Sequence, residues 1–146
     1  MYSYKYPMPA LATDLVMTYN SNLLVIRRSF DSDVYPGELA LPGGFMNIDE
    51  TIEKCACREL QEETGIELCE LDLTLIGVYS SVNRDPRQRT VSAAYYHKFP
   101  VRPKVEPGDD ACECFWVSLF DVVDHRIKLA FDHNKIVYDY YMNTLS

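Results

Sequence analysis

Five glutamates, Glu50, Glu53, Glu59, Glu62 and Glu63, lie within one 14-residue stretch of this chain. Glu59, Glu62 and Glu63 stand at i, i+3 and i+4, the spacing that stacks side chains on one face of a helix. Like charges so placed repel, and only Lys54 and Arg58 are near enough in sequence to offset them. On a wheel of residues 52–63, Ile52, Cys55, Ala56 and Leu60 mark an apolar face, and Glu53, Lys54, Cys57 and Gln61 lie opposite. The three close-spaced glutamates fall on the apolar side. A merely solvated acidic face would carry its charge on the other side. Carboxylates turned partly inward must take up protons or find a cation. Three of them together make an all-oxygen site suited to a hard divalent ion, Mg²⁺ or Mn²⁺.

The elements that must hold this cluster can be read in outline. A helix is expected from about Thr51 to Glu63, with Asp49 or Thr51 as N-cap and Gly65 as the stop. "ALATDLVMTY" and "NLLVIRR" read as strands joined by a turn at Asn20-Ser21-Asn22. Ser29 to Pro42 reads as a polar, Pro- and Gly-punctuated loop leading to "PGG". "LDLTLIGVYSSV", "TVSAAYYHKF" and "ACECFWV" read as three further strands. Ser118 with Asp121 resembles a capping box for a short helix. "FDHNKIVYDYYMNTL" is an amphipathic helix with Ile136, Val137, Tyr140 and Tyr141 on one face. Strands and helices are mixed without strict alternation, so the fold class is α/β in the mixed sense: a mixed sheet covered by helices, in one domain over residues 1–146.

Composition narrows the partners. A net charge of −8 argues against a general nucleic-acid surface, which needs a basic face. No apolar run approaches the ~20 residues of a membrane span, and "MYSYKYPMPA" lacks the apolar core of a signal peptide. Five cysteines are present, four of them as two C-x-C pairs, Cys55/Cys57 and Cys112/Cys114. That is not the usual spacing of a zinc site, and reduced thiols of a cytoplasmic protein are the better reading.

"GFMNIDETIEKCACRELQEETGI" resembles the signature of the Nudix hydrolases, G-x5-E-x7-R-E-U-x-E-E-x-G-U with U a bulky apolar residue. Gly44, Glu50, Arg58, Glu59, Glu62, Glu63 and Gly65 fill its fixed positions, and Leu60 and Ile66 its apolar ones. At about 7% usage per residue type, seven such matches arise by chance on the order of once in 10⁸ starting points. The resemblance implies the Nudix fold, a mixed sheet sandwiched between helices. It also implies metal-dependent cleavage of a diphosphate in a nucleoside diphosphate joined to another group. By the same resemblance, Glu59, Glu62 and Glu63 bind the metal with Gly44. Arg58 orients a glutamate, and the Pro42-Gly43-Gly44 loop brings backbone close to metal and phosphate.

"YPGELALPGGF", "NRDPRQRTVSAAYY" and "EPGDDACECFW…LAFDHNKI" resemble the ADP-ribose pyrophosphatase branch, although Leu39 stands where that branch often has Trp. ADP-ribose, cleaved to AMP and ribose 5-phosphate, is therefore the expected substrate. The alternatives are another nucleotide (an oxidised dNTP, a dinucleoside polyphosphate, NADH or a nucleotide sugar) and an ADP-ribose-sensing regulatory domain. The regulator is disfavoured by the intact signature and by a chain ending at Ser146 with no room for a DNA-binding domain. Many enzymes of the branch are homodimers, so a homodimer is an expected partner.

"NRDPRQR" sets Arg84, Arg87 and Arg89 on one turn. It reads either as a solvated hairpin or as a guanidinium fork for phosphates. Arg27 and Arg28 end a strand, so only one of them can face a cleft. Phe30, Tyr35 and Phe45 are candidates to stack on adenine. Asp110, then Asp109, then Glu106 are candidates for the general base in the loop before the last strand. His97 and His133 are conceivable bases but fit structural roles better.

Overall fold

The computed structural model describes residues 5–108 and 111–144. Strands β1 (Ala10–Tyr19) and β2 (Asn22–Arg28) form the expected hairpin, with Asn20 in the left-handed region at the turn. They pair only at its closed end, Thr18 with Leu23 and Tyr19 with Asn22. Beyond that they part. β1 runs parallel to β6 (Thr90–Phe99) along its whole length, and β5 (Thr74–Tyr79) extends the sheet antiparallel beyond β6. β2 instead pairs antiparallel with β7 (Ala111–Ser118) and with β3 (Leu39–Ala40). The opening between β1 and β2 is taken by β4 (Gly43–Phe45), which pairs Ala12, Thr13 and Asp14 of β1 with Phe45, Gly44 and Gly43. The sheet is mixed, as expected.

Strand alternation sends neighbouring residues to opposite faces, and here both faces are covered. Leu15, Met17, Leu24 and Tyr95 pack on Ala56 and Leu60 of α1 (Ile52–Thr64). Val16, Leu23, Val25 and Ala94 pack on the other side, against Leu119 and Val122 of α2 (Leu119–Val123) and Ile136, Val137 and Tyr140 of α3 (His133–Thr144). Two helical layers thus clamp the sheet.

Local chemistry explains the helix limits. The Thr51 hydroxyl accepts the Lys54 N–H at 3.2 Å, and Gly65 closes α1 at φ 77° with its N–H on the Gln61 carbonyl. Four expectations are corrected. The Ser29–Pro42 loop contains β3, and β4 follows directly; two- and three-residue strands are too short to show a period. β5 is shorter than its apolar run because residues 70–72 form a 3-10 turn. Ser118 precedes α2 but makes no side-chain cap bond. Helix α3 starts at His133, because Phe131 takes φ 55° and turns the chain.

Among the described residues, no helix is long and apolar enough to cross a membrane. Cys55, Cys57, Cys69 and Cys114 are free thiols.

Candidate active site

Helix α1 lies against β4, and the glycines of β4 make that approach possible. A Cβ built at Gly43 would run into the Thr13 carbonyl, and one at Gly44 would sit 2.5 Å from Glu59 Oε1 and 2.7 Å from Oε2. No residue with a side chain fits either place without displacing β1 or the Glu59 carboxylate. The Gly43 N–H donates to Glu63 Oε1 at 2.7 Å, and the Cys55 thiol reaches the Gly44 carbonyl at 3.7 Å. Burial and the neighbouring Glu50 push that thiol up to about 12.

Arg58 is the cation that the acidic helix requires. It donates Nε and Nη2 to the two oxygens of Glu50 at 3.0 and 2.7 Å, Nη1 to Glu59 at 2.8 Å and to Glu62 at 3.2 Å, and Nη2 to the Phe45 carbonyl at 3.1 Å. Its hydrogen bonds to Glu50, and then Glu59, raise its own pKa further. The same bonds, with the Asn47 N–H, hold the Glu50 carboxyl at about 2. The three glutamates do not share one environment, as the wheel suggested. Glu63 is 8% exposed, Glu59 is half-buried, and the Glu62 side chain is 55% exposed. Glu63 and Thr64 end α1 on its buried side while Gln61 and Glu62 face out, so the three glutamates spread across the edge of the buried face. Among the described residues, no three His, Cys, Asp or Glu side chains are gathered in a metal-holding geometry.

On the far side of β4 a cavity of about 140 Å³ opens where β1 and β2 diverge. Glu63, Gly43 and Gly44 form one wall, and Arg28, Arg84, Arg87, Phe45 and Phe131 line the rest. Alternation leaves room for one of the two strand-end arginines, and the tertiary structure selects Arg28. Arg28 lines the cavity, its guanidinium 5.0 Å from the Phe131 ring centre and donating to the Val34 carbonyl and the Ser32 hydroxyl. Arg27 is not among the lining residues and pairs with Glu113 at 2.9 Å. Burial, then the nearby Arg87 charge, lowers the pKa of Arg28.

The turn carrying the other arginines is neither a solvated hairpin nor a three-fingered fork. Asp85, buried, accepts both Nε and Nη2 of Arg87 at 3.0 and 2.7 Å. This sets the Arg87 guanidinium 5.0 Å from the Phe45 ring and 5.3 Å from that of Phe131. Arg84 is only 5% exposed and serves the fold, with Nε and Nη2 on Asp132 at 2.9 and 2.7 Å and Nη2 also on Asp14 at 3.1 Å. Arg89 is exposed and outside the cavity, its Nη1 3.5 Å from the Ser81 carbonyl.

Of the three aromatic candidates only Phe45 lines the cavity. Phe30 is exposed, and Tyr35 packs on Phe131 at 4.6 Å between ring centres. Sequence reasoning misses Phe131, Asp14 and Asp85. A charged residue within the buried run "TDLVM" is the available signal for Asp14; nothing local marks Phe131. Burial would raise the Asp14 carboxyl. The surrounding His133 imidazole, Arg84 guanidinium and Ser92 hydroxyl overcome it and hold it at about 2. His97 lies outside the cavity with Nδ1 on the Asp72 carbonyl at 2.9 Å, a structural place. The Glu106–Gly108 loop is tied to the end of α1 by Glu106 N–H to Thr64 O and Gly108 N–H to Glu63 O. Asp109 and Asp110 lie outside the described residues.

Residues 8–140 match the NUDIX domain. The ADP-ribose pyrophosphatase of Methanocaldococcus jannaschii is 39% identical over 92% of this chain and 75% of its own length. An ADPR-responsive transcriptional repressor of Acinetobacter baylyi is 29% identical over 90% of this chain and 53% of its own. Among solved structures, the bifunctional NMN adenylyltransferase/ADP ribose pyrophosphatase of Francisella tularensis, complexed with AMP and manganese, superposes with a TM-score of 0.81 at 25% identity. It covers 98% of this chain, which in turn spans 44% of that one.

Proposed function

The chain belongs to the NUDIX family, and from that premise we propose that it hydrolyses ADP-ribose to AMP and ribose 5-phosphate. The observation that carries the substrate is the pairing of two guanidiniums, Arg28 and Arg87, against Phe131 beside the glycine edge that the acidic helix also faces. The two guanidiniums repel each other, Asp85 and Glu63 offset part of that cost, and a phosphate anion beside both would offset more. Phosphate oxygens of a diphosphate meet the requirement, and Phe45 and Phe131 add aromatic lining against which a base or a ribose would pack. The cavity is smaller than the ~300 Å³ or more of an enclosing ligand pocket, so it takes one end of the substrate while the other end lies outside.

The donor chemistry fits a divalent cation, although the carboxylates are not gathered about one point here, Glu59 and Glu62 being turned onto Arg58. The donors on the inner side of α1 are carboxylate oxygens, hard ligands of the type Mg²⁺ and Mn²⁺ prefer. Gly44 leaves open the space where a Cβ would meet the Glu59 carboxylate. Glu59, Glu62, Glu63 and the Gly44 carbonyl would hold the ion. When bound, it supplies charge neutralisation of the phosphate oxygens and a water of lowered pKa. Arg58 holds the Glu59 and Glu62 carboxylates in place, and Glu63 fixes the Gly43 backbone. Arg28 and Arg87 bind the diphosphate, and Asp110 takes the proton from the attacking water. The water oxygen bonds to one phosphorus, the bridging P–O bond breaks, and each product leaves as a phosphate monoester. A homodimer is the assembly this reading favours, by likeness to the branch.

The repressor relative favours a second reading, in which the cleft binds ADP-ribose without turning it over. The complete set of Arg58 and the three glutamates favours hydrolysis. A panel of nucleotides assayed with Mg²⁺ decides between them. kcat/KM for ADP-ribose is expected to exceed those for 8-oxo-dGTP, NADH and diadenosine polyphosphates by about tenfold or more, the scale of discrimination that one pocket contact supplies. ADP-ribose bound but not cleaved supports the sensor, and a better substrate elsewhere in the panel overturns the ADP-ribose assignment.

A further inference from the structure

We infer that His133 is a positioning residue for the glycine edge, holding the Leu41 backbone with a neutral imidazole whose single proton is on Nε2. The Leu41 N–H points at His133 Nδ1 at 3.0 Å in a buried site. A backbone N–H can only donate, so Nδ1 must offer its lone pair, and the ring proton is left on Nε2. Nε2 lies 3.1 Å from Asp14 Oδ1, an acceptor. Asp14 cannot swing away, because its other oxygen accepts the Ser92 hydroxyl at 2.7 Å and Arg84 Nη2 at 3.1 Å. Arg84 is in turn locked on Asp132. The tautomer is therefore imposed from both sides of the ring.

What the imidazole holds is the entry to β4. Each residue from 41 to 44 has its own anchor, and the four anchors come from three elements. Leu41 is held by His133 on α3, Pro42 O by the Leu15 N–H of β1 at 2.8 Å, Gly43 N–H by Glu63 of α1, and Gly44 O by Cys55 of α1. The first of these anchors is the only one supplied by the helical layer on the far side of the sheet. It is also continuous with the turn that carries Phe131 into the cavity, since Phe131 and His133 have ring centres 5.3 Å apart. Loss of the Leu41 anchor lets the glycine edge move relative to α1 and the cleft. Both ring nitrogens are committed, so His133 is not a free base for water. The consequence for turnover rests on the reading of Gly43–Gly44 as the edge that meets the substrate phosphates; the hydrogen-bond assignment does not.

Nitrogen NMR of the imidazole in the wild-type chain tests the assignment directly. Nδ1 is expected as the bare, acceptor nitrogen and Nε2 as the protonated one, with a slowly exchanging Leu41 amide. His133→Asn and His133→Gln then separate the two contacts. The Asn carboxamide oxygen stands in for Nδ1, whereas Gln reaches toward Asp14 and leaves Leu41 unheld. The Asn variant is expected to keep kcat within about threefold of wild type. The Gln variant is expected to lose about 100-fold in kcat, the scale of a misplacement near 1 Å, with KM little changed and Leu41 exchange accelerated. A proton found on Nδ1, or equal kcat in the two variants whether both retained or both lost, overturns the inference. If the chain proves inactive on the whole panel, the NMR and exchange results still decide the hydrogen bond.

Discussion

Replacing Arg84 by methionine keeps most of the side-chain volume and removes the guanidinium, and it tests whether this arginine supports the fold or the substrate. Three charge-assisted hydrogen bonds disappear, two to Asp132 and one to Asp14, from a side chain only 5% exposed. At about 1.5–3 kcal/mol each they would sum to roughly 4.5–9 kcal/mol. Two features reduce that figure. Asp132 is 20% exposed and can rehydrate, and Asp14 keeps Ser92 and His133. The cost of removing one partner of a buried pair, about 3–5 kcal/mol, is the better guide, and its lower end applies here. About 3 kcal/mol corresponds to roughly 6–12 °C in Tm for a chain of this size. Urea unfolding and thermal melts read the stability, and steady-state kinetics below the melt read KM. The double variant Arg84→Met with Asp132→Asn is expected to recover part of the loss, because one buried charge is then no longer unpaired. A loss under about 1 kcal/mol with KM raised about tenfold would refute the reasoning, since it would show that the guanidinium serves the ligand.

Three other perturbations reach different parts of the site. Gly44→Ala drives a methyl group into the Glu59 carboxylate, so kcat is expected to collapse while the melting temperature moves little; near-normal kcat would mean that this close approach is not used. Glu62→Gln and Glu63→Gln are each expected to lower kcat by several orders of magnitude in Mg²⁺ with the fold intact, and retained turnover in both would remove the metal assignment. Asp14 makes stability depend on acid. Its folded carboxyl sits at about 2 against an ordinary 3.8, so its contribution is nearly complete above about pH 4 and is lost as pH falls through about 2, below which both states are protonated. That contribution is roughly 2 kcal/mol, and a curve of urea stability against pH that is as steep in Asp14→Asn as in wild type would contradict it.

Helix α1 is legible in the order of residues because what specifies it is local. The Thr51 cap, the Gly65 stop and the glutamates at i, i+3 and i+4 all act within a few turns, and a 3.6-residue period carries their common face. The hairpin at Asn20 and the limits of β6 are legible for the same reason. Alternation establishes that only one of Arg27 and Arg28 can face a cleft, but not which one. That choice depends on β1 leaving β2 to pair with β4, a divergence set by long-range pairing. Two- and three-residue strands have no period to read, so β3 and the glycine edge show in the sequence only as loop. The fate of Arg84 depends on Asp14, 70 residues away, and on Asp132, 48 residues away. No spacing rule reaches across such distances, because the burial that makes those charges pair exists only once the sheet and α3 have packed. Phe131 is the extreme case: its place in the cavity depends on a left-handed turn and two arginines from separate strands and loops. The carboxylates of the acidic helix are written in the order of residues; the walls of the cleft beside them are made by tertiary packing.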